Sequence, residues 1–360
     1  MASLTGARLR AQRLTGTPFA TAVDAVRRMG AVQSQDYPGA KWGIAQRTEA
    51  VTSAAFDRLY DRGAILRTHV LRPTWHFVLP EDIRWLLRLT GPRVLSGMPG
   101  RWRQLGIDRT VVAKARRAWH AALEGGRNLT RAELGAALVA AGISPEGQRL
   151  PHLAMALELD GFITSGPLRG RQVTWALLEE RVPKVITLEP ADALRELTRR
   201  YFRSHGPAQL KDFVWWSGLT QADTRRGLAL AATALVCRSI DGTDYWFDAE
   251  LGWRPAGAAA VHLLPNFDEY TVGYRDRSAM LHPAFSFRPD LFAFSSILSN
   301  VITAGGELRG AWRRTEAPGG ARLELRPLAP LSQVERTGAE RVGQRYSRFI
   351  ERPVEVVWMP

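Results

Sequence analysis

Three times along this 360-residue chain a helical stretch gives way to a short two-stranded hairpin, and that recurrence constrains the fold more than any other feature. In the first copy Thr52-Ser53 precedes a helix over 54–61 that stops at Gly63. A strand over 65–72 follows, Pro73-Thr74 turns the chain, a strand over 75–79 returns, and Pro80-Glu81-Asp82 opens the next helix. The second copy has a helix near 108–123, a capping box made by Thr130 and Glu133 before a helix over 131–141, a helix over 149–159, and a hairpin between 162 and 177. The third has a helix over 190–205, a segment over 210–216 ended by a turn at Ser217-Gly218, a helix over 220–230, then a hairpin whose Asp241-Gly242 is a strong two-residue turn signal. Three helices and a hairpin make a winged helix-turn-helix unit. Its usual cargo is duplex DNA, although such units also serve protein contacts.

After residue 255 the pattern changes to a buried strand at 261–264, a hairpin joined at 317–320, a helix over 331–349 and a final strand at 354–358. The expected architecture is α+β: units at 1–100, 101–186 and 187–255, then a mixed α/β part at 256–360. No low-complexity linker separates them, so they should pack against one another.

The formal charge of +14 favours a polyanionic partner. Only Lys41, Lys114, Lys184 and Lys211 are lysines; every other basic residue is arginine, which suits bidentate phosphate and guanine contacts. Cys237 is the only cysteine, which excludes disulfides, thiolate zinc sites and cysteine-held iron–sulfur clusters within one chain. No apolar run approaches the ~20 residues that cross a bilayer and no secretory h-region opens the chain, so a cytoplasmic protein without membrane contact is expected. Nucleophile elbow, P-loop, dinucleotide fingerprint and H-E-x-x-H helix are all missing, which leaves hydrolase readings of those types, NTPases and dehydrogenases with little support. No metal or cofactor is called for.

Gln33-Ser34-Gln35 is the segment richest in chemical meaning. The residues at 19–32 read as helix, and Pro38-Gly39 would end any helix. On a helix, positions two apart point about 200° away from each other; in extended backbone they share a face. Asp36 and Pro38 favour the extended form, so Gln33 and Gln35 can converge on one water or ligand, or else simply satisfy a chain reversal.

Other clusters read two ways. On the first hairpin His69 and His76, beside Arg67, Arg72 and Thr74, could face each other or a phosphate. Equally, Trp75 and Phe77 could mark the buried face and leave the histidines solvated. Asn266, Asp268, Tyr270, Tyr274, Arg275, Asp276 and Arg277 follow a buried strand, where function often sits. The bland alternative is a salt-bridged turn in which Asp268 or Asp276 holds Arg275 or Arg277. Asp268 is also a candidate for ordering a reactive water. Arg313 and Arg314 beside Trp312 could grip a DNA backbone or protect a sheet edge.

Four segments, in order, carry a resemblance: Ala31-Val32-Gln33-Ser34-Gln35-Asp36; Arg67-Thr68-His69-Val70-Leu71-Arg72-Pro73-Thr74-Trp75-His76; Leu264-Pro265-Asn266-Phe267-Asp268 through Arg277-Ser278; and Gly310-Ala311-Trp312-Arg313-Arg314. Together they resemble the AlkZ/YcaQ family of winged-helix DNA glycosylases over nearly the whole chain. The resemblance implies three tandem winged helices forming a concave basic surface, completed by a β-rich C-terminal part. It implies a monofunctional glycosylase that excises N7-alkylated guanine from double-stranded DNA. In the two-glutamine branch the activity extends to unhooking interstrand crosslinks, often as self-resistance to a DNA-alkylating natural product; the other branch has aspartate at the second position. Gln33 and Gln35 match the catalytic pair, with Asp36 or Asp268 as possible support, and Ser34 stands where the motif is commonly aliphatic. Arg67, His69, Arg72, Thr74, His76, Asn266, Tyr274, Arg275, Arg277, Arg313 and Arg314 would then contact DNA. The internal triplication makes a monomer sufficient. A non-catalytic winged-helix regulator explains the charge and hairpins equally well, but gives no reason for two converging amides; a protein-interaction scaffold leaves the charge unexplained.

Overall fold

The computed structural model describes residues 3–254, 260–282 and 300–359. The first elements are α1 (Leu4–Ala11), α2 (Ala22–Met29), the two-residue β1 (Val32–Gln33), α3 (Tyr37–Ala45) and α4 (Ser53–Asp61). Next come β2 (Leu66–Val70), β3 (Arg72–Val78), α5 (Pro80–Ser96), α6 (Pro99–Gln104) and α7 (Arg109–Leu123). They are followed by β4 (Leu129–Thr130), α8 (Arg131–Ala140), α9 (Arg149–Leu159), β5 (Ile163–Ser165), β6 (Thr174–Leu177) and α10 (Leu178–Arg181). Local chemistry sets many of these starts. Asp108 accepts from the Val111 N–H to open α7, and the Thr130–Glu133 capping box opens α8.

The remaining elements are α11 (Pro190–His205), α12 (Leu210–Ser217), α13 (Gln221–Leu230), β7 (Leu235–Ile240), β8 (Thr243–Asp248), β9 (Val261–Leu264) and α14 (Glu269–Val272). After them come β10 (Val301–Ala304), β11 (Glu307–Ala317), β12 (Gly320–Pro327), α15 (Gln333–Ile350) and β13 (Val354–Trp358). Asp241 and Gly242 take φ of 49° and 73°, the turn expected between β7 and β8. The expected boundary at 255/256 lies outside the described residues.

Three expectations need correction. The helix expected over 19–32 is only Ala22–Met29, closed at Gly30. Pro38-Gly39 opens α3 instead of ending a helix, because a proline in the first turn gives up an N–H that has no intrahelical partner there. The first hairpin reverses at Leu71 (φ 64°), whose N–H donates to Thr90 Oγ1 at 3.1 Å, so Pro73-Thr74 lie inside β3.

Contacts divide the chain into two units. One comprises Met1–Phe56, Arg195–Trp216 and Thr220–Pro360; the other comprises Asp57–Leu194 with Ser217–Leu219. In the first, a five-stranded sheet runs β13-β12-β11-β10-β9, antiparallel except for the β12–β13 pair, which α15 joins as a crossover. Trp42 of α3 meets Tyr346 of α15 edge-on with ring centroids 4.8 Å apart, over Leu263, Ile302, Leu323 and Leu325. The Trp42 and Gln46 side chains both donate to the Leu263 carbonyl, at 2.8 and 3.0 Å. In this way α3 closes the edge at β9. The second unit holds the β2–β3 hairpin and a three-stranded sheet β4-β6-β5 around Trp119, Leu134, Leu153, Leu157, Ile163 and Trp175. No helix among the described residues is long and apolar enough to cross a membrane.

His262 on β9 is buried and lies 2.9 Å from the Leu14 carbonyl through Nε2. Burial, with Arg47 adding to it, pushes its imidazole down from 6.5 to about 4 despite the hydrogen bond to Leu14. The unfolded chain therefore binds a proton near pH 6.5 that the folded chain refuses until about pH 4. Stability from this residue is complete above pH 6.5 and is lost as pH falls, by about 3 kcal/mol in all. Denaturation midpoints followed from pH 7 to 4 should show this slope, and His262→Gln should flatten it.

Candidate active site

The glutamine motif lies in the first unit. After α2 the chain runs extended through β1, and Asp36 keeps extended geometry (φ −96°, ψ 100°) as it enters α3. Gln33 is buried, Ser34 fully so, and Gln35 is exposed. The motif thus runs from the interior of the unit to solvent. The Gln33 N–H donates to Glu269 Oε1 at 2.6 Å.

Two glycines one helical turn apart let α3 lie against the loop after β9. A Cβ on Gly39 would stand 2.6 Å from Asp36 Oδ2 and 3.1 Å from Pro265 Cβ, and one on Gly43 would stand 2.8 Å from Asp268 Oδ2. Gln33, Asp36, Pro265 and Asp268 are thereby brought into one neighbourhood. Arg47 locks it: its guanidinium grips both Asp268 oxygens at 2.8 Å, Gln12 Oε1 at 2.6 Å and the Gly43 carbonyl at 2.8 Å. Asp268 Oδ1 also accepts from the Tyr270 N–H at 2.8 Å, so this carboxylate braces α14 and is not placed to order a water. Phe267 takes a left-handed φ of 62°, and the Asn266 N–H donates to Asn300 Oδ1 at 2.7 Å. Arg314 reaches Tyr346 of α15. Burial pushes the Tyr346 phenol up, a hydrogen bond and charge from Arg314 pull it back, and the Asp36 carboxylate adds to the rise.

Tyr274 is not a surface contact. Its ring is fully buried under Arg8, 3.9 Å from the ring centroid, and its hydroxyl donates to the His205 carbonyl at 2.9 Å. Burial holds its phenol well above the ordinary range. The turn beyond it is not held by the expected ion pairs either. Asp276 pairs with Lys211 at 2.9 Å, and the backbone N–H groups of Arg275 and Asp276 donate to Asp212 Oδ1 at 2.9 and 3.0 Å. Burial opposes the charged form of Asp276, but hydrogen bonds from Ser278 and Lys211 keep it well below the usual carboxylate range. Arg275 and Arg277 instead flank Trp215, at 5.3 and 5.5 Å from its ring centroid.

The first hairpin differs most from expectation. Register pairs His69 with Trp75 and Thr68 with His76, so the two histidines lie on opposite faces and cannot face each other. Both are buried, because α5, α9 and β5 pack on the hairpin. Glu158 sits 2.5 Å from His69 Nδ1 and accepts the Trp175 indole N–H at 2.6 Å. His76 Nδ1 lies 2.9 Å from the Thr74 carbonyl. Arg67 is buried over the Trp75 ring, 4.4 Å from its centroid, while Arg72 and Thr74 are half-buried. The exposed hairpin is β7–β8, where Val236, Cys237, Arg238 and Ser239 all face solvent. Neither Arg238, exposed on β7, nor Trp215, on α12 between Arg275 and Arg277, stood out in the sequence. Arg313 and Arg314 point to opposite faces of β11 and pair with Glu324 and Glu316. Arg313 remains 70 % exposed.

The structure thus sets a buried carboxylate against the backbone of a non-helical two-amide motif, in a chain of net charge +14. Residues 26–349 match the family model described as DNA glycosylase AlkZ-like. The chain belongs to that family: it is a DNA glycosylase, a hydrolase of N-glycosyl bonds, and DNA is its substrate. An interstrand DNA cross-link repair glycosylase of Streptomyces sahachiroi is 24% identical over 324 residues, which cover 85% of either chain. The solved structure of the Streptomyces sahachiroi DNA glycosylase AlkZ superposes with a TM-score of 0.80, covering 99% of this chain and 98% of that one at 21% identity. That likeness is one of fold.

Proposed function

We propose that this glycosylase hydrolyses the bond between deoxyribose and N7-alkylated guanine in duplex DNA, bulky adducts and interstrand crosslinks included. Crosslink repair is named for the Streptomyces sahachiroi relative, and protection from a genotoxic natural product fits the same chemistry. The observation that carries the reading is the non-helical motif between α2 and α3, with Gln33 anchored through its backbone and Gln35 at the solvent side. An N7-alkylguanine already bears positive charge, so its departure needs little protonation. What remains is to position a water and stabilise an oxocarbenium-like sugar. A carboxamide accepts from water through its oxygen and donates through its nitrogen, which fixes the direction of attack. Gln33 and Gln35 hold the water, with Asp36 adding negative potential. A crosslinked base cannot enter a deep pocket, and a motif open at Gln35 suits it.

Winged helix-turn-helix units acting as monomeric DNA-binding modules fit the helix-plus-hairpin segments and the net charge of +14. Phosphate contacts fall to Arg238, Arg275, Arg277 and Arg313. Gln209 ties the β7–β8 hairpin of Arg238 to the turn of Arg275 and Arg277, its amide nitrogen lying 3.4 Å from both the Tyr245 hydroxyl on β8 and Asp276 Oδ2. Replacing Arg238 or Arg275 with alanine should weaken binding on all sequences and reduce the slope of log K against log salt by about 1. Arg67→Ala should lower the melting temperature and leave that slope unchanged; the reverse pattern would move the DNA surface to the first hairpin.

The deciding experiment incubates duplexes carrying N7-methylguanine, a bulky N7 monoadduct or a crosslink with the protein, then reads alkali-labile abasic sites. Protection of undamaged DNA without such sites would refute the reading.

A further inference from the structure

Glu269 is 1 % exposed, and three donors from distant parts of the chain converge on it. Oε1 receives the Gln33 N–H at 2.6 Å, and Oε2 receives the Trp216 indole N–H at 2.9 Å and faces His205 Nε2 at 3.1 Å. Behind His205, the Ser204 hydroxyl lies 2.8 Å from Nδ1 and 2.7 Å from the Arg200 carbonyl, so both ring nitrogens have polar partners. Tyr201 stacks on His205 with centroids 4.7 Å apart and packs against Trp216, which keeps water from competing for the carboxylate. Asp268, the neighbour of Glu269, is itself clamped by Arg47.

Stability alone does not require that one of these donors be the catalytic motif's own backbone. The geometry points to Glu269 as a positioning residue: it fixes the Gln33 backbone, with His205 and Trp216 holding the other carboxylate oxygen, and so aims the Gln33 side chain at the water. This rests on the proposed role of the two amides. A charge-assisted bond 2.6 Å long tolerates little movement, and a misplacement of ~1 Å at a reacting group can cost about 10²-fold in rate.

Glu269→Gln keeps the shape but leaves one oxygen for donors that lie on two. Single-turnover excision of N7-methylguanine by this variant should fall about 10–100-fold, with the dissociation constant for the same duplex within about twofold. In a Gln33→Ala background, adding Glu269→Gln should change the rate by no more than about twofold, because the side chain being aimed is already gone. An unaltered rate in Glu269→Gln overturns the inference, as does a loss of the same size with and without Gln33. If Gln33→Ala excises at the full rate, the reading of the amides fails instead, so the two failures are distinguishable. Where Glu269→Gln does not fold, the unaltered protein decides: the Gln33 amide proton should be strongly downfield and among the slowest to exchange with deuterium, and a freely exchanging Gln33 amide overturns the clamp.

Discussion

Gln35→Ala should slow single-turnover excision of N7-methylguanine by about 10²–10⁴-fold while leaving duplex binding intact, and Gln33→Ala should do the same. The range follows from what a positioned amide supplies. It takes part in no covalent step, so its whole contribution is the direction and polarisation of one water, and that contribution exists only in the transition state. Binding should survive because Gln33 is buried and the exposed arginines that would meet phosphate lie on other elements. The two variants should also differ from each other. Gln35 is exposed and its removal should hardly alter the melting temperature, whereas removing the buried Gln33 side chain leaves a void in the interior and should lower it. Retained rates in both variants would remove the amides from the mechanism.

The second large effect is structural. Asp268→Ala should cost about 3–5 kcal/mol of folding stability, read from denaturant midpoints, because it strands the Arg47 guanidinium in the interior without its partner. The side chains of both residues are at most 2 % exposed and the bond is bidentate, so solvent neither screens the pair nor replaces it. Arg47→Met in the same background should return part of that loss, since the cost lies mainly in an uncompensated charge. The loop bearing Asn266 and Phe267 hangs on this pair, so excision by the folded fraction of Asp268→Ala should fall as well. A variant as stable as the parent would mean that the pair is not formed in solution.

Elements whose signals are local were legible from the chain alone. The Thr130–Glu133 capping box, the Asp241-Gly242 turn and the 317–320 turn between β11 and β12 each act over a few residues, and each falls where the sequence puts it. So does the departure of Gln33 and Asp36 from helical geometry, although Tyr37, the residue directly before Pro38, already belongs to α3. Pro38 misled because the same ring that stops a helix from inside also opens one.

Burial decided the rest. The first hairpin alternates polar and aromatic residues as a solvated wing does, yet α5, α9 and β5 pack on it, and His69, His76 and Arg67 are buried as a result. Arg47 meets Asp268 across 221 residues and Gln33 meets Glu269 across 236, and nothing within a few positions of either partner announces the other. Sequence by itself determined the order of elements and the chemistry available at the glutamine motif, because φ preferences and caps are properties of neighbours in the chain. Tertiary structure alone chose which charges are buried together, because the cost of desolvating a carboxylate is met only by donors that folding brings to it.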